Sequence, residues 1–284
     1  MGLVSVKEIL ADAKARSYAV GAFNLNNMEI LQAIIRAAEA ERSPVILQAS
    51  QGGIKYAGLE YITAMAKAAA EVATVPVALN LDHGTSFEQV VRCIRHGFSA
   101  VMIDGSHYPF EENVAITKRV VEVAHPAGVS VEGELGRIGG TEDDIHVDEK
   151  DALLADPDEV VSFVEQTQVD CLAVAIGTAH GVYRGTPKLD FERLSKINSL
   201  IDLPLVLHGA SGVSDEDIQK AIARGICKIN IDTELRQAFS EAVRKKLAED
   251  PEEIDPRKIL GPARDAMQEV VVRKMRLFGS SQKA

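Results

Sequence analysis

A chain of 284 residues, 46% hydrophobic and 26% charged, carries enough apolar material for a sizeable core, which excludes a disordered or low-complexity protein. Its formal net charge of -11 repels nucleic acid and no basic block stands out to offset it, so no nucleic-acid partner is expected. No uninterrupted apolar run reaches the roughly 18 residues of a membrane span, and Cys93, Cys171 and Cys227 are too scattered for a disulfide framework or a CxxC site, so no membrane partner is expected and the chain reads as cytoplasmic with reduced, buried thiols.

In chain order, charges at helical spacing predict a first helix over residues 4–16. Eight short β-branched apolar runs follow: AVGAFN (19–24), PVILQAS (44–50), VPVALNLDH (75–83), SAVMIDGSH (99–107), VSVEGELG (129–136), DCLAVAIGTAHG (170–181), LPLVLHGASG (203–212) and ICKINIDT (226–233). Between them lie amphipathic stretches such as MEILQAIIRAAEAER, with apolar residues at three- and four-residue spacing. Parallel strands need such helical crossovers, and near-continuous apolar strands suit a sheet covered on both faces. Eight βα units without a glycine-rich dinucleotide fingerprint predict an α/β fold, a (β/α)8 barrel over residues 1–284 as one domain, with extra helices at both ends, the last over 256–279. Residues 136–157 break the rhythm. They are long, acidic and weakly periodic, the character of a lid or binding loop.

Three of the seven histidines come directly after strand candidates, each followed by glycine: His83, His180 and His208. In a barrel those ends converge on the face that carries active sites. Three imidazoles from separate strands, with a fourth position open, is the ligand set of a catalytic zinc. Asp82 precedes His83, so in a straight strand the two would point to opposite faces; a turn at the strand end would bring both to the mouth. It reads either as a general acid/base or as the cap of a helix starting near Ser86. Glu132 and Glu134 share strand parity and Asp104 ends the fourth strand. These carboxylates serve a second metal position, support for the histidines, or ordinary ion pairs. Glycine turns at Gly181 and at Gly209, Ala210 and Ser211, the polar run Asn230, Ile231, Asp232 and Thr233, and a helix beginning near Ser214 suit a phosphate.

Taken together, YAVGAFN, LDHG, VMIDGSHYPFEENV, VEGELGRIGG with EDD, AIGTAHG, LVLHGASG, KINIDTELR, DPRK and GPARDAM resemble the class II, metal-dependent fructose-bisphosphate and tagatose-bisphosphate aldolases over nearly the whole chain. The resemblance implies Zn2+ on His83, His180 and His208, with Glu134 and Asp104 at a metal's alternative or second position. It implies that Asp82 exchanges a proton with the C4 hydroxyl or aldehyde oxygen, and that Glu142 removes a proton from dihydroxyacetone phosphate. Gly181, Gly209 to Ser211 and Asn230 to Thr233 then match the segments that bind the triose phosphate, with a monovalent cation nearby. Arg257 matches an arginine reaching the other phosphate across a subunit interface, hence a homodimer or homotetramer. Thr141 stands where some members carry another acid.

Fructose 1,6-bisphosphate is the expected substrate, in glycolysis or gluconeogenesis, with tagatose 1,6-bisphosphate as the alternative. A Schiff-base aldolase using Lys228, which shares strand parity with Asn230, is a rival chemistry. A non-catalytic barrel that binds phosphorylated sugars is a rival of another class.

Overall fold

The computed structural model describes residues 2–142, 145–148, 150, 152–183 and 185–284. Its strands are β1 (Val20–Asn24), β2 (Val45–Ser50), β3 (Val77–Gly84), β4 (Ala100–Ile103), β5 (Ser130–Leu135), β6 (Gly139–Glu142), β7 (Ile145–Val147), β8 (Cys171–Val174), β9 (Ala179–His180), β10 (Leu205–Leu207) and β11 (Ile226–Ile231). Eight of these close a parallel barrel in the order β1-β11-β10-β8-β5-β4-β3-β2, as the eight apolar runs predict. The helices are α1 (Val6–Ala15), α2 (Met28–Glu41), α3 (Gln51–Ala57), α4 (Leu59–Val72), α5 (Phe87–His96), α6 (Phe110–Ala124), α7 (Pro157–Thr167), α8 (Phe191–Leu200), α9 (Asp215–Ile222), α10 (Thr233–Glu249) and α11 (Pro256–Phe278). Among the described residues, no helix is long and apolar enough to cross a membrane.

Strand alternation sorts the barrel residues into two layers. Phe23, Leu47, Leu79, Val101, Val131, Leu172, Leu205 and Ile229 belong to the larger core cluster, with the apolar faces of the surrounding helices. The second cluster fills the lumen: Val20, Ala22, Ile46, Ala78, Ala100, Ala173 and Val206 pack with Val6, Ile9, Leu10 and Ala13 of α1. That helix, started by a Ser5–Glu8 capping box, closes the N-terminal end of the barrel. Further along the same inward positions the residues turn polar. Asn24, Gln48 and Asn80 are register partners across β1, β2 and β3, and all are buried. The lumen is thus apolar at one end and hydrogen-bonding at the other, where the strands' C-terminal ends open.

Three boundaries differ from the sequence expectation. The fourth strand stops at Ile103, so Asp104 stands on the turn after it. The sixth barrel strand stops at Val174, and His180 sits on β9, outside the barrel. Gly177, at φ 105°, turns the chain between them. Residues 136–157, expected as a loop, contain the antiparallel pair β6–β7, and β6 pairs in parallel with β9 through Gly140↔His180. A histidine that would otherwise ride on a free turn is thereby tied to the acidic segment.

Candidate active site

The third strand resolves the parity problem of Asp82 and His83 with a bulge. Pairing of β3 with β4 slips between Leu81 and Gly84, and His83 adopts φ 46°, in the left-handed region. A non-glycine residue there costs on the order of 1–3 kcal/mol, a strain that collects at functional sites. The turn sends both side chains to the mouth of the barrel. Gly84 makes it possible, since a Cβ at that position would stand 2.5 Å from the Met102 carbonyl oxygen. Asp82 is not a helix cap: Ser86 caps α5 through its own hydroxyl, which accepts from Gln89 N–H.

The three imidazoles meet there. Ring centroids lie 4.8 Å apart for His83 and His180, 4.7 Å for His83 and His208, and 6.0 Å for His180 and His208. One ring nitrogen from each falls within 4.8 Å of the others. Burial, reinforced by the neighbouring rings, holds His180 well below the usual histidine range, and burial also lowers His208 against the opposing effect of its hydrogen bond to Glu132. Neutral imidazole is the form that ligates a metal. His208 Nδ1 and Glu134 Oε2 are buried, have no hydrogen-bond partner among the described residues, and stand 3.4 Å apart. Buried polar atoms left in that state, beside two further imidazoles, fit a divalent cation of the zinc type.

The carboxylates divide the remaining work. Asp104 Oδ2 stands 3.3 Å from His83 Nδ1, and its Oδ1 accepts from the Ser106 hydroxyl and N–H. Burial opposes its ionisation, yet those bonds and the His83 charge hold it well below the usual carboxylate range. Glu134 moves the other way, raised by burial and by the charge on Asp104. His83, Asp104 and Glu134 form a second cluster with ligand atoms within 4.8 Å. Glu132, of the same strand parity as Glu134, engages other partners. Its Oε1 accepts from His208 Nε2 at 2.7 Å, and its Oε2 pairs with Lys228 Nζ at 2.8 Å. Burial resists its ionisation, but the Lys228 charge and these hydrogen bonds bring it down to about 2. Lys228 is fully buried and gives a second bond to Asn230 Oδ1 at 2.8 Å. An ammonium engaged on both sides is not the accessible amine that a Schiff base requires.

Asp82, also fully buried, is held by two amides: Asn24 Nδ2 donates to Oδ2 at 2.8 Å and Asn230 Nδ2 to Oδ1 at 3.2 Å. Behind Asn24 the donors continue, Gln48 Nε2 to Asn24 Oδ1 and Asn80 Nδ2 to Gln48 Oε1, each at 3.2 Å. Beside this network lies a small polar cleft. Gly181, Gly209, Ala210, Ser211, Asn230, Asp232 and Thr233, the sequence candidates for a phosphate, line it. Gly209 has φ 62°, and a Cβ there would lie 2.5 Å from the Ala179 carbonyl oxygen, so the two glycine turns approach closely only because this residue is glycine. Tyr183 joins them, its hydroxyl accepting from Ala179 N–H at 2.7 Å and donating to the Gly209 carbonyl at 2.8 Å. The helix whose first residues line the cleft is α10, begun by Asp232 and Thr233, rather than the predicted one near Ser214.

Two expected residues fall elsewhere. Ile231 is fully buried in the core cluster, because it has the opposite strand parity to Asn230 and Asp232, so its side chain does not line the cleft. Arg257 stands at the start of α11 with its side chain 89% exposed and pairs with Asp255 at 2.8 Å, away from the cleft of its own chain. Glu142 ends β6, next to Thr141 on the cleft wall, but its side chain lies outside the described residues. Asn24 and Arg236 line the cleft without a sequence expectation, as does Thr141, noted only for standing in place of an acid, and Arg236 bonds Asp232 at 2.6 Å. Asn24, Gln48 and Asn80 had a signal: polar residues at inward positions of apolar strands, which burial tolerates only with partners.

Comparison with known proteins places this geometry among relatives. The family model described as "Fructose-bisphosphate aldolase class-II" matches residues 4–283. A fructose-bisphosphate aldolase of Thermus caldophilus is 53% identical, with 98% of each chain covered. One of Geobacillus stearothermophilus is 54% identical, covering 100% of this chain and 99% of that one. Among solved structures, the YdjI aldolase of Escherichia coli K12 superposes with a TM-score of 0.88 at 38% identity, 99% of each chain being covered.

Proposed function

This chain belongs to the class II fructose-bisphosphate aldolase family, and from that premise we propose that it reversibly cleaves fructose 1,6-bisphosphate to dihydroxyacetone phosphate and glyceraldehyde 3-phosphate. The observation that carries the reading is the convergence of His83, His180 and His208 beside an amide-held Asp82 and a glycine-lined cleft. Relatives at 50% identity and above bear the fructose name, which favours that substrate over tagatose 1,6-bisphosphate.

Zn2+ is the proposed metal, held by the three histidines; when bound it supplies Lewis acidity that polarises the ketone carbonyl and offsets negative charge on its oxygen. Asp82 takes the proton of the C4 hydroxyl, its carboxylate held in place by Asn24 and Asn230. As the C3–C4 bond breaks, its electron pair passes towards C3 and the C2 carbonyl oxygen, the aldehyde leaves, and Glu142 returns a proton to C3. Condensation reverses each transfer. Gly181, Gly209, Ala210, Ser211, Asp232 and Thr233, with the backbone of Ile231, hold the triose phosphate, and the positive end of α10 faces it. Arg257 reaches the other phosphate from a neighbouring subunit of a homodimer or homotetramer, consistent with its exposure here. Glu134 and Asp104 offer a second divalent position with His83, and the family reading adds a monovalent cation beside the phosphate. The proposed setting is cytoplasmic glycolysis or gluconeogenesis, in one barrel domain.

The test is the cleavage rate with fructose and tagatose 1,6-bisphosphates in parallel, before chelation, after it, and with zinc restored. Loss and recovery with zinc, and a larger kcat/KM for fructose, are expected. Chelator-resistant cleavage sinks the metal chemistry, and absence of turnover in zinc-replete protein favours a binding barrel.

A further inference from the structure

Lys228 sits where two hydrogen-bond paths through the lumen meet. One runs from Nζ through Glu132 to His208 Nε2, in steps of 2.8 and 2.7 Å. The other runs from Nζ to Asn230 Oδ1 at 2.8 Å and from Asn230 Nδ2 to Asp82 Oδ1 at 3.2 Å. All of these side chains are buried, so no bulk water substitutes for a missing partner. We propose that Lys228 is a positioning residue that sets the geometry of the proton-transfer carboxylate and of a metal-ligating imidazole together.

The donors and acceptors each group carries leave one arrangement. An ammonium only donates, so the oxygen of the Asn230 amide is the end that faces Lys228, and its NH2 is the end left for Asp82. Reversed, the amide would set its oxygen against the Asp82 carboxylate. On the other path, an ammonium against Glu132 Oε2 keeps that carboxylate an acceptor, and Oε1 then takes the Nε2 proton of His208. The proton is fixed on Nε2, and Nδ1 keeps its lone pair for the site. One cation thus fixes an amide orientation and an imidazole tautomer. The bulge in β10–β11 pairing, where Leu205↔Ile226 is followed by Val206↔Lys228, brings the lysine to the inner face. An apolar residue there would suffice for packing, as Cys171 and Ala173 illustrate on a nearby strand.

This inference rests on the aldolase reading for its activity readout, and the zinc readout is independent of it. Lys228→Met is compared with K228M/E132Q, which removes the buried carboxylate left without its counter-charge. In the zinc-loaded, full-length protein, both variants are expected to lose about 10- to 100-fold in kcat at saturating zinc with little change in KM, and K228M to bind zinc about 10- to 100-fold more weakly in chelator competition. If K228M does not fold, the double variant carries the kcat test. Wild-type kcat in folded K228M/E132Q overturns the proposal, because Lys228 would then be only a counter-charge. Failure of the double variant to fold overturns it as well, since the lysine would be holding the barrel rather than the site. Unchanged zinc affinity in K228M overturns the coupling of the two paths. A wild-type protein that binds zinc but cleaves no substrate sinks the aldolase reading instead, and the zinc affinity of K228M then decides this one alone.

Discussion

An amide donated into a buried carboxylate is a charged hydrogen bond, and Asn24 Nδ2 makes one of 2.8 Å to Asp82 Oδ2. Such bonds contribute about 1.5–3 kcal/mol, and a buried charged acceptor left short of a partner bears an uncompensated desolvation cost of about 1–3 kcal/mol or more. Asn24→Ala is therefore expected to lower kcat by about 10- to 100-fold while zinc affinity stays within a few fold, because none of the three histidines bonds to Asn24. Steady-state cleavage kinetics beside chelator competition check it; an equal loss of zinc would mean that the network holds the metal site as a whole. The residue types of the site were legible in the sequence. Asp82, His83, His180 and His208 are polar residues at the ends of apolar runs, and their recurrence at several strand ends together points to a site. Their partners were not legible. That Glu132 serves Lys228 and His208 while Glu134 stands with Asp104 depends on register between β4, β5 and β8, which no local pattern encodes.

At the scale of elements, the β3 bulge is the device that makes two consecutive residues useful. Gly84→Ala places a methyl group 2.5 Å from the Met102 carbonyl oxygen, a backbone atom that cannot swing aside as a side chain would. Straightening or shifting the bulge would displace His83 from the other rings, so weaker zinc binding and a lower Tm are expected together. A variant that keeps wild-type zinc affinity would show that the bulge tolerates the methyl. The barrel strands were legible because their apolar runs are bounded by turn residues. The position of His180 was not, since the run DCLAVAIGTAHG continues with small apolar residues across the turn at Gly177, and only pairing with β6 reveals a separate strand. The closing clasp of the chain was equally hidden: Glu41 at the end of α2 accepts from Arg276 at 2.7 Å and from Ser281, joining α11 and the C-terminal segment to the barrel. The Arg276 hydrogen bonds lower the Glu41 carboxyl below its usual value. A depressed carboxyl stabilises the fold above the unfolded-state value of about 4.3 and loses that contribution as pH falls through the folded value. Glu41→Gln should thus lower stability by about 1 kcal/mol near neutrality, discounted for an Arg276 side chain that is largely exposed, and the deficit should shrink below about pH 4. Denaturant titrations of both proteins across that range measure it, and a deficit constant with pH would mean that the clasp acts through packing alone.

For the molecule as a whole, the proposed metal would link the site to the fold. Imidazoles brought together from three separate segments share one ion only when the barrel is closed, so zinc bound there at about 100 times its dissociation constant would add about 2.7 kcal/mol to stability. Chelation is expected to lower Tm by several degrees, read by differential scanning fluorimetry, and His208→Ala should abolish the difference; an unchanged Tm would mean the ion contributes no net stability. Arg257 raises the other whole-molecule question, because its guanidinium faces solvent beside Asp255 while the cleft it is proposed to serve lies elsewhere on its own chain. If it acts in trans, Asp82→Ala and Arg257→Ala fail for separable reasons. In a mixed dimer, the protomer that keeps Asp82 would receive Arg257 from its neighbour, so one site is whole. Co-expression with two affinity tags isolates that mixed dimer. Substantial cleavage activity from it, with a KM near wild type, is the expected result; activity no greater than the average of the two parent variants would place the second phosphate under a residue of the same chain.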